Sequence, residues 1–214
     1  MTSTRILNRY ELGEQLGDGA TARVFRAQDL GFPGSHVALK IAAHSDTFSN
    51  RSLASEFALL FRLRHPHIRS VYAIGYLDGE LDPIGIPHNA CFLVQEYYDA
   101  LCADRVRWGS SAQLAVCGAQ MASALAMLHV QGICHGDVKP SNIVVSGANH
   151  DHAKLIDFGL AARAGTAFSG TPRFMAPEAL AGSSTPQGDV YALGATLHTL
   201  ATGSPPTTNF GSEL

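Results

Sequence analysis

Charge is scarce in this chain. Asp, Glu, Lys and Arg make up 15% of its 214 residues, and acids exceed bases by only 18 to 15, a formal charge of −3. That balance supplies no basic face for a phosphate backbone, so nucleic acid is not an expected partner. Lys and Arg stop altogether after Arg173. Cysteine is sparse too: Cys91, Cys102, Cys117 and Cys134 stand apart with no C-x-x-C pair. Such spacing argues against a disulfide framework or zinc site and fits a reduced, cytoplasmic setting. Residues 1–11 lack the apolar run of a secretory signal. The longest apolar stretch, 112–130, is broken by Gln113, Gln120 and Ser123. Its Leu114, Met121, Leu125 and Leu128 share one helical face, the pattern of a core helix and not of a membrane span. No internal repeat or low-complexity tract is present. Hydrophobic residues, by contrast, reach 46%, enough for a real core in one large or two small domains.

The first hundred residues read mostly as strands: 10–16 and 22–28 around a glycine turn, then His36–Ala42, Val71–Tyr76 and 91–97. Between them, 49–64 has helical periodicity, with Leu53, Glu56, Leu60 and Leu63 along one stripe. From Ser110 onward the pattern turns helical, with short strands near 143–145 and 154–156. A last helix, about 187–202, carries Val190, Leu193, Leu197 and Leu200 on one face and stops at Gly203-Ser204-Pro205-Pro206.

The chemistry concentrates in His135-Gly136-Asp137-Val138-Lys139-Pro140-Ser141-Asn142, followed by Asp157-Phe158-Gly159. Two carboxylates and an amide recur at the spacing a phosphoryl-transfer site needs. Asp137 can receive the proton of an attacking hydroxyl, Asn142 and Asp157 can hold magnesium ions bridging nucleotide phosphates, and Lys139 can neutralise charge on the transferred group. The two motifs in this order, with those described next, resemble the eukaryotic-type serine/threonine protein kinase family. The resemblance implies ATP and Mg2+ as cofactors and protein serine or threonine hydroxyls as acceptors. It also implies a bilobal α+β fold. Residues 1–98 would form a lobe of antiparallel sheet with one helix, and 99–214 a mainly helical lobe lacking its last helices after the one at 187–202. The face of Leu193, Leu197 and Leu200 would then be left partly uncovered, a surface for self-association, aggregation or a partner.

Further motifs carry the resemblance along the chain. Gly17-Asp18-Gly19 lies between two strand patterns, where it reads either as a hairpin turn or as a phosphate cradle, and Ala22 replaces the family's third glycine. Val37-Ala38-Leu39-Lys40 resembles the family's Val-Ala-Ile-Lys, with Lys40 on the α- and β-phosphates; a strand-end lysine reaching water is the alternative. Glu56, on an apolar stripe, needs a partner, and Lys40 is the candidate unless Glu56 sits at the stripe's wet edge. By resemblance the backbone of Glu96 and Tyr98 holds adenine, Gln95 guards the pocket behind it, and Val24, Ala38 and Val144 line the nucleotide site. His135 and Phe158 would be structural. The run from Gly170 to Glu178 resembles the end of an activation segment, with Thr171 bonded to Asp137 and Lys139. Asp189 matches a family aspartate that binds the catalytic-loop backbone, and it equally suits a helix N-terminus.

Three departures stand out. Gly136 replaces an arginine that would pair with a phosphate on Thr166 or Ser169, so activation-loop phosphorylation is not expected to be required. His-Gly-Asp is also the motif of aminoglycoside and choline phosphotransferases, an alternative reading, and a weakly active ATP-binding module is another. Glu178 lacks its usual downstream arginine, leaving it to face water, to pair with Arg163 or Arg173, or to meet another chain.

Overall fold

The computed structural model describes residues 5–19, 21–44, 46–77, 85–165, 170–181 and 183–206. The chain divides into two compact units: Met1–Leu63 with Ser70–Tyr98, and Arg64–Arg69 with Asp99–Leu214.

In the first unit, β1 (Arg5–Ile6), β2 (Tyr10–Asp18), β3 (Ala22–Asp29), β4 (His36–Ala42), β5 (Val71–Tyr76) and β6 (Cys91–Glu96) form one antiparallel sheet ordered β1-β2-β3-β4-β6-β5. β4 is central and buried along nearly its whole length. Its Leu39 and Ile41 meet Phe25, Phe92, Val94 and Leu53 in the core. Helix α1 (Thr47–Leu60) begins where the Asp46 carboxylate accepts the Ser49 N–H at 2.7 Å. It buries Leu53, Glu56 and Leu60, as the stripe implies, but stops at Leu60 and not at 64. The Leu63 N–H closes a tight turn on the Leu60 carbonyl at 2.9 Å, and Pro66 holds its predecessor out of helical geometry. Arg9 grips Asp29 through two 2.8 Å hydrogen bonds, which hold that carboxyl below its usual range.

Gly75 on β5 shows how tightly β5 and β6 meet. A Cβ there would stand 2.6 Å from Phe92 Cζ and 2.8 Å from Cε1. Gly75→Ala is expected to cost about 1–3 kcal/mol through displacement of the Phe92 ring, measured as a lowered urea midpoint with unchanged slope.

In the second unit, β7 (Leu101–Cys102), β9 (Ile143–Ser146) and β10 (His152–Leu155) form a sheet ordered β10-β9-β7, and β8 (Ile133–Cys134) pairs with β11 (Ala162–Arg163). Arg64–Arg69 joins this unit through backbone: Arg69 N–H to Leu155 O at 3.1 Å, and Leu155 N–H to His67 O at 2.9 Å. Helix α2 (Ser111–Val130) packs on α3 (Pro186–Thr202). Among the described residues α2 alone is long and apolar enough to cross a membrane. It buries Cys117, Met121, Ala124, Leu125 and Leu128, while its exposed positions are mostly alanine.

Helix α3 departs from the expected stripe. Its buried residues are Asp189, Ala192, Leu193, Ala195 and Thr196, whereas Val190 is 61% exposed and Leu197 and Leu200 are half-buried. Part of the buried face serves the loop, since Thr196 Oγ1 donates to the Val138 carbonyl at 3.2 Å, while Leu197 meets α2, where its methyl would lie 2.9 Å from a Cβ added at Gly118. Leu193 is covered within the unit, while Leu197 and Leu200 stay partly open.

Candidate active site

In the first unit three polar side chains converge. Lys40 and Gln95 rise from one face of the sheet, because Lys40 pairs with Leu93, two residues before Gln95 on β6. Lys40 Nζ lies 2.7 Å from Glu56 Oε2, and the Glu56 side chain is fully buried. That geometry removes the wet-edge reading of Glu56 and the solvent reading of Lys40. Gln95, only 3% exposed, donates from Nε2 to the other carboxylate oxygen, Glu56 Oε1, at 3.1 Å. This hydrogen bond escapes a sequence reading, since 39 residues separate the partners.

The other predicted nucleotide contacts in this unit flank the same strands. Ala38 pairs with Gln95, and Val24 pairs with both Lys40 and Gly17. Gly19 closes the β2–β3 turn by donating its N–H to Ala22 O at 3.0 Å. Glu96 gives its N–H to Ser70 O at 2.9 Å, so any backbone contact it makes with a base falls to its carbonyl. Tyr98 is half-buried at the unit's last position.

In the second unit the loop from His135 to Asn142 builds a closed ring of hydrogen bonds. Asp137 Oδ1 accepts from Thr171 Oγ1 at 2.7 Å and from Thr171 N–H at 3.0 Å. Asp137 Oδ2 meets Lys139 Nζ at 2.6 Å and Asn142 Nδ2 at 3.1 Å. Lys139 also donates to Thr171 Oγ1 at 2.9 Å, so the threonine hydroxyl accepts from the lysine and donates to the aspartate. Asn142 Nδ2 bonds the Asp137 carbonyl as well, at 2.8 Å, which fixes the orientation of the amide. Val144 lies buried just beyond on β9. Asp157 is exposed and stands at φ +60°, a left-handed conformation uncommon outside glycine but one that aspartate adopts more readily than most residues.

The supports beneath the loop are buried. The Asp137 N–H donates to His135 Nδ1 at 3.2 Å, which places the imidazole proton on Nε2, facing Ile156 O at 3.1 Å. The His135 ring meets Phe158 edge-on at 4.8 Å, the structural pairing expected of both. Asp189, 3% exposed, accepts from His135 N–H at 2.8 Å and Gly136 N–H at 2.9 Å, while its Oδ2 also lies 2.8 Å from His129 Nε2. Sequence reasoning found Asp189 but not His129, whose place on α2 carries no local signal. Gly136 stands at φ +79°, a conformation glycine takes without a Cβ penalty. Glu178 is exposed, and Thr166 and Ser169 lie outside the described residues. Burial pushes the Cys91 and Cys117 thiols up to about 11, so neither is a thiolate nucleophile at neutral pH.

An antiparallel sheet with one helix, joined in sequence to a helical unit whose loop carries an aspartate–lysine–asparagine set, is the architecture of phosphoryl-transfer enzymes of the kinase class. A family model for the protein kinase domain matches residues 10–213, and the chain belongs to that family. It is 33% identical over 225 residues to serine/threonine-protein kinase PkaA of Streptomyces coelicolor, covering 93% of this chain and 40% of that one. It is 35% identical over 214 residues to the DNA damage-responsive serine/threonine-protein kinase RqkA of Deinococcus radiodurans, with 95% and 31% covered. Serine/threonine-protein kinase PknB of Mycobacterium leprae is 33% identical over 226 residues, with 96% and 34% covered. The chain thus spans about a third to two fifths of the length of these relatives.

Proposed function

We propose that this chain transfers the γ-phosphoryl group of ATP to serine or threonine hydroxyls of proteins in the cytoplasm. The observation that carries this reading is the ring formed by Asp137, Lys139 and Thr171. A carboxylate held by a threonine from the 170–178 segment suits a site that orients a protein hydroxyl. His-Gly-Asp alone would serve a small-molecule phosphotransferase equally well. In the proposed reaction Asp137 accepts the hydroxyl proton as the new O–P bond forms, and ADP departs with the electrons of the broken bond. Lys139 stabilises the negative charge on the phosphoryl oxygens, and Lys40, held by Glu56, places the α- and β-phosphates. Ala38, Val24 and Val144 would flank adenine, which the Glu96 carbonyl and Tyr98 backbone would hold, with Gly17 and Gly19 over the phosphates. The Asn142 amide oxygen and the Asp157 carboxylate are hard oxygen donors that fit Mg2+. Bound there, the ion would neutralise phosphate charge.

Transfer of label from γ-labelled ATP to a generic serine/threonine protein substrate tests the reading. Label on an aminoglycoside or choline, with none on protein, would replace it with small-molecule phosphorylation. Nucleotide binding without transfer would make the chain a binding module.

Gly136 gives a second expectation. With no arginine at that position to receive a phosphate, phosphatase treatment or Thr166→Ala/Ser169→Ala is expected to change the transfer rate by less than about twofold. A several-fold loss would show that another cation in the protein receives the phosphate.

A further inference from the structure

Helix α1 is held to the sheet by a carboxylate with no access to water. The Glu56 side chain is fully buried, and an ionised carboxylate in that position is tolerated only when its lone pairs are met by donors. Lys40 serves one oxygen at 2.7 Å. Gln95, from the middle of β6, serves the other at 3.1 Å. Its neighbour across the ladder is Ala38, whose single methyl leaves room for the amide to reach α1.

We propose that Gln95 is a positioning residue for phosphoryl transfer: its side-chain amide latches Glu56, and through Glu56 sets the fraction of molecules in which Lys40 is held ready. This role rests on the kinase reading, but the latch itself does not. Without the amide, Glu56 keeps one buried oxygen unsatisfied, and states with α1 swung outward and Lys40 released gain population. The same amide ties β6 to α1 independently of any event in the segment before Thr171. An activating phosphate there would then have less to do, in keeping with glycine at position 136. The strand register makes the arrangement local: Lys40, Ala38, Leu93 and Gln95 occupy one patch of two adjacent strands, with Glu56 reaching it from α1.

The experiment compares wild type with Gln95→Leu, which removes the donor at similar size, and Gln95→Glu, which keeps the shape but opposes Glu56 with a second carboxylate. Gln95→Met replaces Gln95→Leu if the latter fails to fold by circular dichroism. The first readout needs no nucleotide: amide hydrogen exchange across 47–60 and the rate of Lys40 modification by an amine reagent. Both are expected to rise about tenfold in Gln95→Leu, and further in Gln95→Glu. Equal rates in all three proteins would overturn the latch. The second readout is steady-state transfer, where kcat is expected to fall about tenfold while nucleotide affinity stays within a few-fold. In a Glu56→Gln background the same Gln95→Leu change should have little further effect, because its partner is already altered. An undiminished loss in that background would mean that Gln95 acts on the nucleotide directly, and the proposal would fall. If wild type transfers no phosphate but the exchange and labelling differences appear, the kinase reading fails and the latch stands.

Discussion

Asp137→Asn is expected to lower kcat for phosphoryl transfer by about a thousandfold while leaving nucleotide affinity within a few-fold of wild type. The substitution keeps the size of the side chain and removes its charge. Asp137 now accepts four hydrogen bonds on its carboxylate, two from Thr171, one from Lys139 and one from Asn142. An amide can accept at only one end, and its NH2 group would face a donor at the other. The ring would open on the Lys139–Asn142 side or on the Thr171 side. Either way, no base remains for the hydroxyl proton. The side chain is only 10% exposed, but asparagine matches its size, so the fold should survive, and matched thermal unfolding will separate a catalytic loss from a structural one. Activity within tenfold of wild type would transfer the proton-accepting role elsewhere and remove the central support for the proposed reaction.

The second large effect is structural. Asp189→Ala removes the acceptor of two buried backbone N–H groups and the partner of His129. Small changes at exposed sites cost little, but leaving buried donors unmet costs each its desolvation. The sum is expected to reach roughly 3–5 kcal/mol, a large share of the stability of an ordinary domain. Urea unfolding will measure it. Asp189→Asn retains one accepting oxygen and should lose about half as much. The surviving folded fraction of Asp189→Ala should also transfer phosphate poorly, because the loop that carries Asp137 hangs from those two N–H groups. A destabilisation below about 1 kcal/mol would show that the loop holds its shape without the aspartate.

Much of this architecture was legible from residue pattern. Strands β2 to β6 announce themselves by short apolar runs between turn residues, and the Leu53–Glu56–Leu60 stripe lies where α1 is buried. The loop residues Asp137, Lys139 and Asn142 and the distant Thr171 assemble as their motifs imply. What stayed hidden has two physical causes. Pairings such as Gln95 with Glu56 or His129 with Asp189 join side chains 39 and 60 residues apart, and nothing local records them. Helix faces are the other cause. The large residues Val190, Leu193, Leu197 and Leu200 mark one face of α3, whereas its buried residues include Asp189 and Thr196, which serve loop residues 54 and 58 positions back. Two-residue strands such as β7, β8 and β11 are too short to show any period, and the end of α1 is set by a turn ahead of Pro66.

The dependence of the loop on Asp189 also imposes an order in time. His135 and Gly136 leave the ribosome before the residue that shapes them, which follows 54 and 53 positions later. At typical elongation rates the delay is on the order of several seconds. Throughout it the nascent chain carries its motif residues without the carboxylate that bends the backbone beneath them. Competence therefore waits for α3, and a polypeptide interrupted before it would carry the motif side chains but not the shape that aligns them.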